Sequence, residues 1–378
     1  MMSKIDDLIA KYCPNGVEYK PVGIVLRPLP KGTLKQDQLE KDGQYPVINS
    51  GRDFYGYYSL FNNDCEAIVI ASRGEYAGFI SYMSGKFWAG GLCYPYAVCD
   101  TSILFPKYVF YYLKSQEQYI MDTLVSRGSI PALNKSDMDK VQVPVPPLAV
   151  QEEIVNILDS FTLLEAELEA ELVARKKQYE HYRDKLLNFA DISQGGVRTM
   201  AINQLCEVSR GRVMSKDYLR ENIGDYPVYS SQTANNGELG KINTFDYDGE
   251  YLTWTTDGAN AGSVFYRNGK FSVTNVCGLL KSKTNDVSMK YLSYCLGNVA
   301  KKYVNEGMGN PKLMSNVMEK IKVPIPPLEE QERIVSILDK FDALVNDISD
   351  GLPAEINARR QQYEYYRDKL LNFEPIAA

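Results

Sequence analysis

The sequence predicts a mixed α/β (α+β) chain: two globular domains of the same fold, separated by a pair of long antiparallel coiled-coil helices and related by an internal pseudo-two-fold repeat. Three observations lead there. Val143-Pro-Val-Pro-Pro-Leu-Ala-Val-Gln-Glu-Glu-Ile-Val-Asn-Ile-Leu-Asp-Ser-Phe161 returns as Val323-Pro-Ile-Pro-Pro-Leu-Glu-Glu-Gln-Glu-Arg-Ile-Val-Ser-Ile-Leu-Asp-Lys-Phe341. Ala174-Arg-Lys-Lys-Gln-Tyr-Glu-His-Tyr-Arg-Asp-Lys-Leu-Leu-Asn-Phe189 returns as Ala358-Arg-Arg-Gln-Gln-Tyr-Glu-Tyr-Tyr-Arg-Asp-Lys-Leu-Leu-Asn-Phe373. The longer stretches between these copies share glycine-bounded landmarks and little else. A period this long is unlike a solenoid, whose units run roughly 20–50 residues. The parts are therefore residues 1–142, a first globular domain; 143–189, a central helix; 190–322, a second globular domain; and 323–378, a C-terminal helix.

The two globular stretches read as one scaffold with different decoration. Gly43-Gln-Tyr-Pro-Val47 matches Gly224-Asp-Tyr-Pro-Val228, Gly74-Glu-Tyr-Ala-Gly78 matches Gly258-Ala-Asn-Ala-Gly262, and Gly85-Lys-Phe87 matches Gly269-Lys-Phe271. Runs such as Ala67-Ile-Val-Ile-Ala71, Gly78-Phe-Ile-Ser-Tyr82 and Ser263-Val-Phe-Tyr266 alternate β-branched and aromatic residues between glycine turns, which predicts short strands. Helices are expected near 107–125 and 288–305.

The duplicated segments predict long helices. Pro146-Pro147 and Pro326-Pro327 force an extended approach and stand where a helix can begin, since proline lacks only a donor that the first turn leaves unpaired anyway. In the first copy Ile154, Leu158, Phe161, Leu164, Leu168, Leu172, Tyr179, Tyr182, Leu186 and Phe189 follow steps of three or four, a coiled-coil stripe interrupted at Arg175. A helix of about 40 residues spans roughly 60 Å. The second copy carries Ile334, Leu338, Phe341, Leu344, Ile348, Ile356, Tyr363, Tyr366, Leu370 and Phe373, with Gly351-Leu-Pro353 between them as a predicted break. Each stripe needs a partner to bury it, and the other copy supplies one. The four tyrosines are expected to pack within the helical pair. Glu165-Ala-Glu-Leu168 followed by Glu169-Ala-Glu-Leu172 reads as a spacer unit, or as good helix formers on a wet face.

Composition narrows the function. The chain of 378 residues is 44% hydrophobic and 24% charged, ordinary for a globular protein. It has no apolar run of the roughly 18 residues that a membrane span needs, and Met1-Met-Ser-Lys-Ile-Asp-Asp7 is unlike a signal peptide, so a cytoplasmic location is expected. Seven cysteines without C-x-x-C spacing indicate neither a disulfide framework nor a zinc site. The single histidine, His181, stands where the other copy has Tyr365 and reads as a solvated helix position. The net charge of −6 hides a division. The first domain is balanced at 15 basic against 15 acidic residues, the second carries 16 against 13, and the helical segments carry 5 against 9 and 6 against 11. The acidity sits in the helices. The domains are compatible with DNA but too weakly basic to grip it unaided.

Loops rich in hydrogen-bonding groups recur at matching places: Asn49–Arg52, Ser72–Tyr76 and Arg127–Lys135 in the first domain, Ser230–Thr233, Thr255–Asn260 and Gly309–Lys312 in the second. Arg, Lys, Asn, Gln, Ser and Thr are the side chains that read base edges. Arg52, Arg73, Arg127, Lys135, Gln232, Thr256, Asn260 and Lys312 are the candidate DNA contacts. No catalytic or metal-ligating residue is assigned. The chain has no G-x-x-x-x-G-K-[ST] phosphate loop, no glycine-rich cofactor loop after a strand, no Asn/Asp-Pro-Pro-aromatic tetrad and no nuclease-like carboxylate cluster with a nearby lysine.

The order of variable domain, V-P-[VI]-P-P-L-x-x-Q-E helix ending in Q-Y-E-x-Y-R-D-K-L-L, second variable domain and second such helix resembles the DNA-specificity subunit of type I restriction-modification systems, over essentially the whole chain. Cys13-Pro-Asn-Gly-Val-Glu-Tyr19 fits the same family. The resemblance implies two target-recognition domains, each reading half of a bipartite DNA site. It implies helices that set the spacer and dock two methyltransferase subunits, with restriction (motor-nuclease) subunits joining. It implies no cofactor on this chain, with S-adenosylmethionine and ATP on the partners. A coiled-coil scaffold would explain the helices and not the matched polar loops, and a self-sufficient methyltransferase or nuclease would need the missing motifs. One Glu-Ala-Glu-Leu unit adds ~6 Å and ~40°, against about 3.4 Å and roughly 34–36° per base pair. Deleting Glu169–Leu172 is expected to shorten the recognised gap by about one base pair with both half-sites kept; a methylation map showing an altered half-site and an unaltered gap would contradict the ruler.

Overall fold

A computed structural model of the chain describes residues 2–189, 196–307, 309–347 and 349–376. The stretch 190–195, where the second domain is expected to open, and Ile348 of the apolar stripe lie outside the described residues. The first domain runs through α1 (Met2–Tyr12), β1 (Leu26–Pro28), β2 (Tyr45–Ile48), β3 (Ala67–Ala71), β4 (Ile80–Met83), β5 (Lys86–Ala89), β6 (Cys93–Val98) and α2 (Pro106–Ser115). The central helix is α3 (Leu148–Leu187). The second domain follows with β7 (Cys206–Arg210), β8 (Ile223–Tyr229), β9 (Glu238–Ile242), β10 (Tyr247–Thr255), β11 (Val264–Val273), β12 (Cys277–Ser282) and α4 (Met289–Val299), and the chain ends in α5 (Leu328–Asn346) and α6 (Leu352–Leu371).

The expected strands form as β3, β4 and β11, and α3 has the expected 40 residues. The C-terminal segment breaks where Gly-Leu-Pro stands. A Cβ on Gly351 would lie 2.5 Å from the Ala343 carbonyl oxygen, so the chain turns there before Pro353 opens α6. The helix expected over 107–125 stops at Ser115 and continues as short turns to Leu124. Helix α1 has no counterpart in the sequence reading.

The chain packs as two compact units, Met1–Glu169 with Glu355–Ala378, and Ala170–Ala354. The divisions fall inside α3 and close to the start of α6, whereas the sequence reading drew its limits at the ends of the repeated segments.

In the first unit a four-stranded sheet, β1-β6-β3-β4, lies beside a second one in which Gly56–Tyr58, β2, β5 and Asn63–Asp64 are neighbours in that order. β2 and β5 run parallel, with Val47 opposite Trp88. All five residues of β3 are buried, the pattern of a strand covered on both faces. Ile68, Ile70 and Ile80 pack against Tyr108, Val109 and Leu113 of α2, joined by Val150, Ile154 and Leu158 of α3 and by Leu370 and Leu371 of α6. Each such fully buried aliphatic side chain contributes about 1.5–3 kcal/mol. The N- and C-terminal segments meet: the Val17 amide donates to the Glu374 carbonyl at 2.8 Å, and the Tyr19 hydroxyl donates to the Phe373 carbonyl at 2.8 Å.

The second unit repeats this plan with its two sheets joined. β11 pairs antiparallel with β10 and then, at Ser272 and Val273, parallel with β8, giving the order β7-β12-β10-β11-β8-β9. Leu252, Trp254 and Leu280 pack against Tyr291, Leu292 and Leu296 of α4, Ile334 and Leu338 of α5, and Leu187 at the end of α3.

Each unit contains two helical segments packed antiparallel, one from each copy of the repeat. In the first, Phe161 stacks on Tyr366 with ring centroids 5.5 Å apart and meets Tyr363 edge-on at 6.4 Å. Arg360 pairs with Glu165 at 2.5 Å and also with Glu169, so the tandem Glu-Ala-Glu-Leu units share one cation. In the second, Phe341 stacks on Tyr182 at 5.6 Å and lies 6.5 Å from Tyr179. The four tyrosines pack the helices, as expected. His181 is exposed on α3.

One residue of the repeated motif explains how helix and domain are tied. Gln151 is fully buried; its Oε1 accepts from the Phe105 amide at 2.8 Å, and its Nε2 donates to the Ile103 and Pro146 carbonyls at 2.9 and 2.6 Å. Gln331, also fully buried, accepts from the Ser288 amide at 2.9 Å and donates to the Asp286 and Pro326 carbonyls at 2.9 and 2.8 Å. The motif's aspartates add a second tie. Asp159 accepts from Tyr111 at 2.5 Å and pairs with Lys107 at 2.7 Å; Asp339 accepts from Tyr294 and pairs with Lys290 at 3.3 Å. Replacing Gln331 with leucine takes the partner from three backbone groups, of which the Pro326 carbonyl is buried and the other two are partly so. It is expected to lower the stability of the second unit by about 2–4 kcal/mol. Urea unfolding followed by the fluorescence of buried Trp254, in a Trp88→Phe background, checks this; an unmoved midpoint would mean that the amide is no anchor.

Candidate nucleic-acid interface

In the first domain the loop Ser72–Ala77 leaves β3 and returns through Gly78 to β4. Gly78 holds φ at +94°, and a Cβ there would lie 2.9 Å from Met121 Cγ, so the close turn requires glycine. The Ser72 amide donates to the Leu92 carbonyl, Gly74 to Pro131 and Leu133 to Ser72, each at 2.9 Å. Asn49 Oδ1 accepts from the Leu92 amide at 2.9 Å. Four loops are thereby sewn into one edge.

Arg52, Arg73 and Arg127 lie exposed on three of them. The Arg52 guanidinium sits 5.0 Å from the centre of the Tyr76 ring, a cation–π contact that orients it without neutralising it. Arg73 is held at its backbone opposite Ala132. Arg127 pairs with Asp122 at 3.0 Å, an exposed ion pair that a phosphate could displace at little cost. Lys135 differs. Its ammonium is 2.5 Å from Asp139, whose other oxygen accepts from the Tyr96 hydroxyl at 3.0 Å, so it is engaged with its own short helix and only half exposed.

In the second domain the Thr256 amide donates to Ser231 Oγ at 3.0 Å, Gly258 to the Pro311 carbonyl at 3.0 Å and Leu313 to the Thr256 carbonyl at 3.0 Å. Asn305 and Lys312 exchange backbone bonds of 2.9 and 3.1 Å. A shallow cavity of about 300 Å³ lined by Asn305, Gly307, Gly309, Asn310 and Lys312 opens beside them. Asn260 and Lys312 are exposed, with Lys312 Nζ 3.8 Å from Asp257.

Two expected contacts are corrected. Thr256 is fully buried, its hydroxyl 2.6 Å from Asp257 Oδ2 and 2.7 Å from the Val276 carbonyl, so it holds the loop and offers no surface. The half-buried Gln232 turns its Nε2 inward to the Glu238 carbonyl at 2.5 Å. Lys301 and Lys302, both exposed, stand outside the expected contacts, although a Lys-Lys pair in the more basic domain is a signal. The Lys301 Cα lies 3.3 Å from where a Cβ of Gly262 would stand, directly against the loop.

The two loop edges share a backbone and differ in charge. Arg73 opposite Ala132 in the first corresponds to Asp257 opposite Lys312 in the second. Burial pushes the thiols of Cys206, Cys277 and Cys295 up to about 12, so they are protonated near neutral pH. Among the described residues no three His, Cys, Asp or Glu side chains stand together as a metal site, and no helix is long and apolar enough to cross a membrane.

The sequence model for the type I restriction modification DNA specificity domain matches this chain twice, over residues 18–174 and 195–358. The chain belongs to that family. Each match runs through one loop-bearing domain and on into the helix that follows it. A putative type I specificity subunit of Mycoplasma pneumoniae is 46% identical over 249 residues, covering 65% of this chain and 91% of that protein. A putative type I restriction enzyme specificity subunit of Haemophilus influenzae is 29% identical over 394 residues, covering 94% and 96%. Among solved structures, the type I restriction-modification S subunit of M. genitalium has the same fold, with a TM-score of 0.66 at 17% identity over 94% of this chain and 96% of that one. A chain from work on complex assembly and conformational transition of the type I R-M system gives 0.59 at 15% identity over 95% and 98%. In this specificity family member, Thr256→Val is expected to lower the stability of the second unit by about 1–2 kcal/mol. Asn260→Ala is expected to leave it within about 0.5 kcal/mol, and urea unfolding separates the two.

Proposed function

We propose that the chain is the sequence-reading subunit of a type I restriction-modification complex. Each domain reads one half of a bipartite double-stranded DNA site, and the paired helices hold the gap between the halves. The observation that carries this is the repeated loop edge: one hydrogen-bonded backbone, built twice, presenting Arg73 in one domain and Asp257 with Lys312 in the other. A common scaffold with exchanged polar side chains is what two readers of different sequences need.

The acidic helices add no attraction for phosphate, and the loops carry few unpaired cations. DNA binding therefore leans on partners. The helical segments, with the proline-rich turns that lead into them, are the surface proposed to dock two methyltransferase subunits, with motor-nuclease subunits joining. S-adenosylmethionine and ATP belong to those partners, and this chain contributes register and binding energy without catalytic chemistry of its own. A target base would be flipped into the methyltransferase.

Purifying the chain with and without a methyltransferase partner and measuring binding to, and methylation of, genomic fragments tests the reading. Sequence-specific methylation only in company supports it; modification by the chain alone, or no DNA binding in either state, overturns it. Within the active complex Arg73→Ala is expected to cost about 1–3 kcal/mol of discrimination at the first half-site. Equal loss at both half-sites would contradict the division of labour.

A further inference from the structure

The loop between β8 and β9 of the second domain, Ser230-Ser-Gln-Thr-Ala-Asn-Asn-Gly237, is built around a buried cation. Arg267 is only 3% exposed. Its guanidinium lies 3.6 Å from the centre of the Tyr229 ring and 4.7 Å from that of Phe265, its Nε donates to Thr253 Oγ1 at 3.1 Å, and its Nη2 donates to the Asn236 carbonyl at 2.7 Å. Among the described residues no carboxylate stands within ion-pair distance of it, and Glu238 acts on it only from further away. A guanidinium buried without a close counter-ion is costly, and here it is met by ring faces, by the Thr253 hydroxyl and by one loop carbonyl.

Above it the backbone is unusual. Asn235 and Asn236 hold φ at +48° and +52°, the two non-glycine residues with positive φ among those described, and Gly237 follows at +81°. A Cβ on Gly237 would lie 2.9 Å from Arg267 Nη2, so the glycine makes room for the cation. Left-handed conformations cost a non-glycine residue on the order of 1 kcal/mol. They persist where the surroundings determine them, and such sites cluster where function needs a side chain aimed. The loop is closed by the Ser230 amide donating to the Gly237 carbonyl at 3.0 Å. It is joined through Ser231 to Thr256, and so to the edge that carries Asn260 and Lys312.

The device is absent from the shared scaffold. In the first domain Tyr82 stands opposite Ile68 and donates to Glu66; in the second Tyr266 stands opposite Leu252 and donates to Glu250. The next residue is therefore buried Met83 in one domain and Arg267 in the other. An apolar residue suffices for the fold at this position, so the cation serves the loop. Asn235 and Asn236 are exposed, and among the described residues neither side-chain amide has a hydrogen-bond partner.

We infer that Asn235 and Asn236 are base-reading side chains of the second domain, with Arg267 beneath them as a positioning residue. The amide offers a donor and an acceptor side by side, the complement of the N6 and N7 edge of adenine in the major groove. The inference rests on the proposal that this domain reads DNA, and the experiment separates the two.

The reconstituted complex with its methyltransferase subunits is assayed by methylation mapping for the unaltered chain and for Asn235→Gly, Asn236→Gly, Asn236→Asp and Arg267→Met. Glycine keeps the left-handed backbone and removes the amide; a purely conformational role predicts no change in sequence preference. The expected result is a loss of discrimination of roughly 10- to 100-fold at one or two positions of the second half-site, with the first half-site and the gap unchanged. Asn236→Asp, which keeps shape and loses the donor, is expected to disfavour the original base at the same position. Arg267→Met is expected to broaden the same positions. An unaltered second half-site in all the asparagine variants overturns the inference, as does a uniform loss of methylation with the preference retained. Failure of the unaltered complex to methylate a defined sequence strikes the parent proposal instead.

Discussion

The structure depends on two buried glutamine side chains. Each glutamine stands where a proline-rich segment turns into a helix, and proline leaves that turn with carbonyls and no amide to answer them. Gln151 and Gln331 each give one amide hydrogen to a carbonyl of the proline turn, Pro146 or Pro326, and use the other hydrogen and the amide oxygen on the turn that precedes the domain's own helix. Three backbone groups, one of them fully buried, are satisfied by one side chain, so helix, proline turn and globular domain form a single packed body. Asp159 and Asp339, two turns on, repeat the tie through Tyr111 and Tyr294.

With the helix starts held in this way, the apolar stripes have a defined partner. Phe161 of one copy meets Tyr363 and Tyr366 of the other, and Phe341 meets Tyr179 and Tyr182. Each compact unit is thereby completed by helix from the opposite copy of the repeat. The first unit is closed further by the bonds between Val17 and Glu374 and between Tyr19 and Phe373, which join the two ends of the chain. The tyrosines repeated in the sequence are engaged in this packing.

The loops themselves divide into backbone and payload. Gly78 and Gly262, the amides of Gly74 and Gly258, and the carbonyls of Pro131 and Pro311 build the same turn twice. What varies is the side chain displayed at Arg73 or Asp257, at Ala132 or Lys312, and the residue beneath, Met83 or Arg267. A scaffold whose bonds are made by backbone can exchange its side chains freely, which is how a reader keeps its fold while its target changes.

The repeat, the helices, their break at Gly351-Leu352-Pro353 and the common origin of the two domains were legible in the sequence, because proline, glycine and three-to-four spacing act through local geometry that any context preserves. The joining of two sheets through β11 was not, since it depends on pairings distant in the chain, and the N-terminal helix was passed over although Ile5, Leu8 and Ile9 stand at helical spacing. The candidate contacts divided for the same reason. Arg52, Arg73, Arg127, Asn260 and Lys312 are exposed as a loop position suggests, while Thr256 and Gln232 turn inward and Lys135 folds onto Asp139. Composition shows that a loop is polar; which of its groups face solvent is decided by the neighbours that accept their hydrogen bonds. Asn235-Asn236-Gly237 reads in sequence as an ordinary turn, and only the fold places a buried cation beneath it.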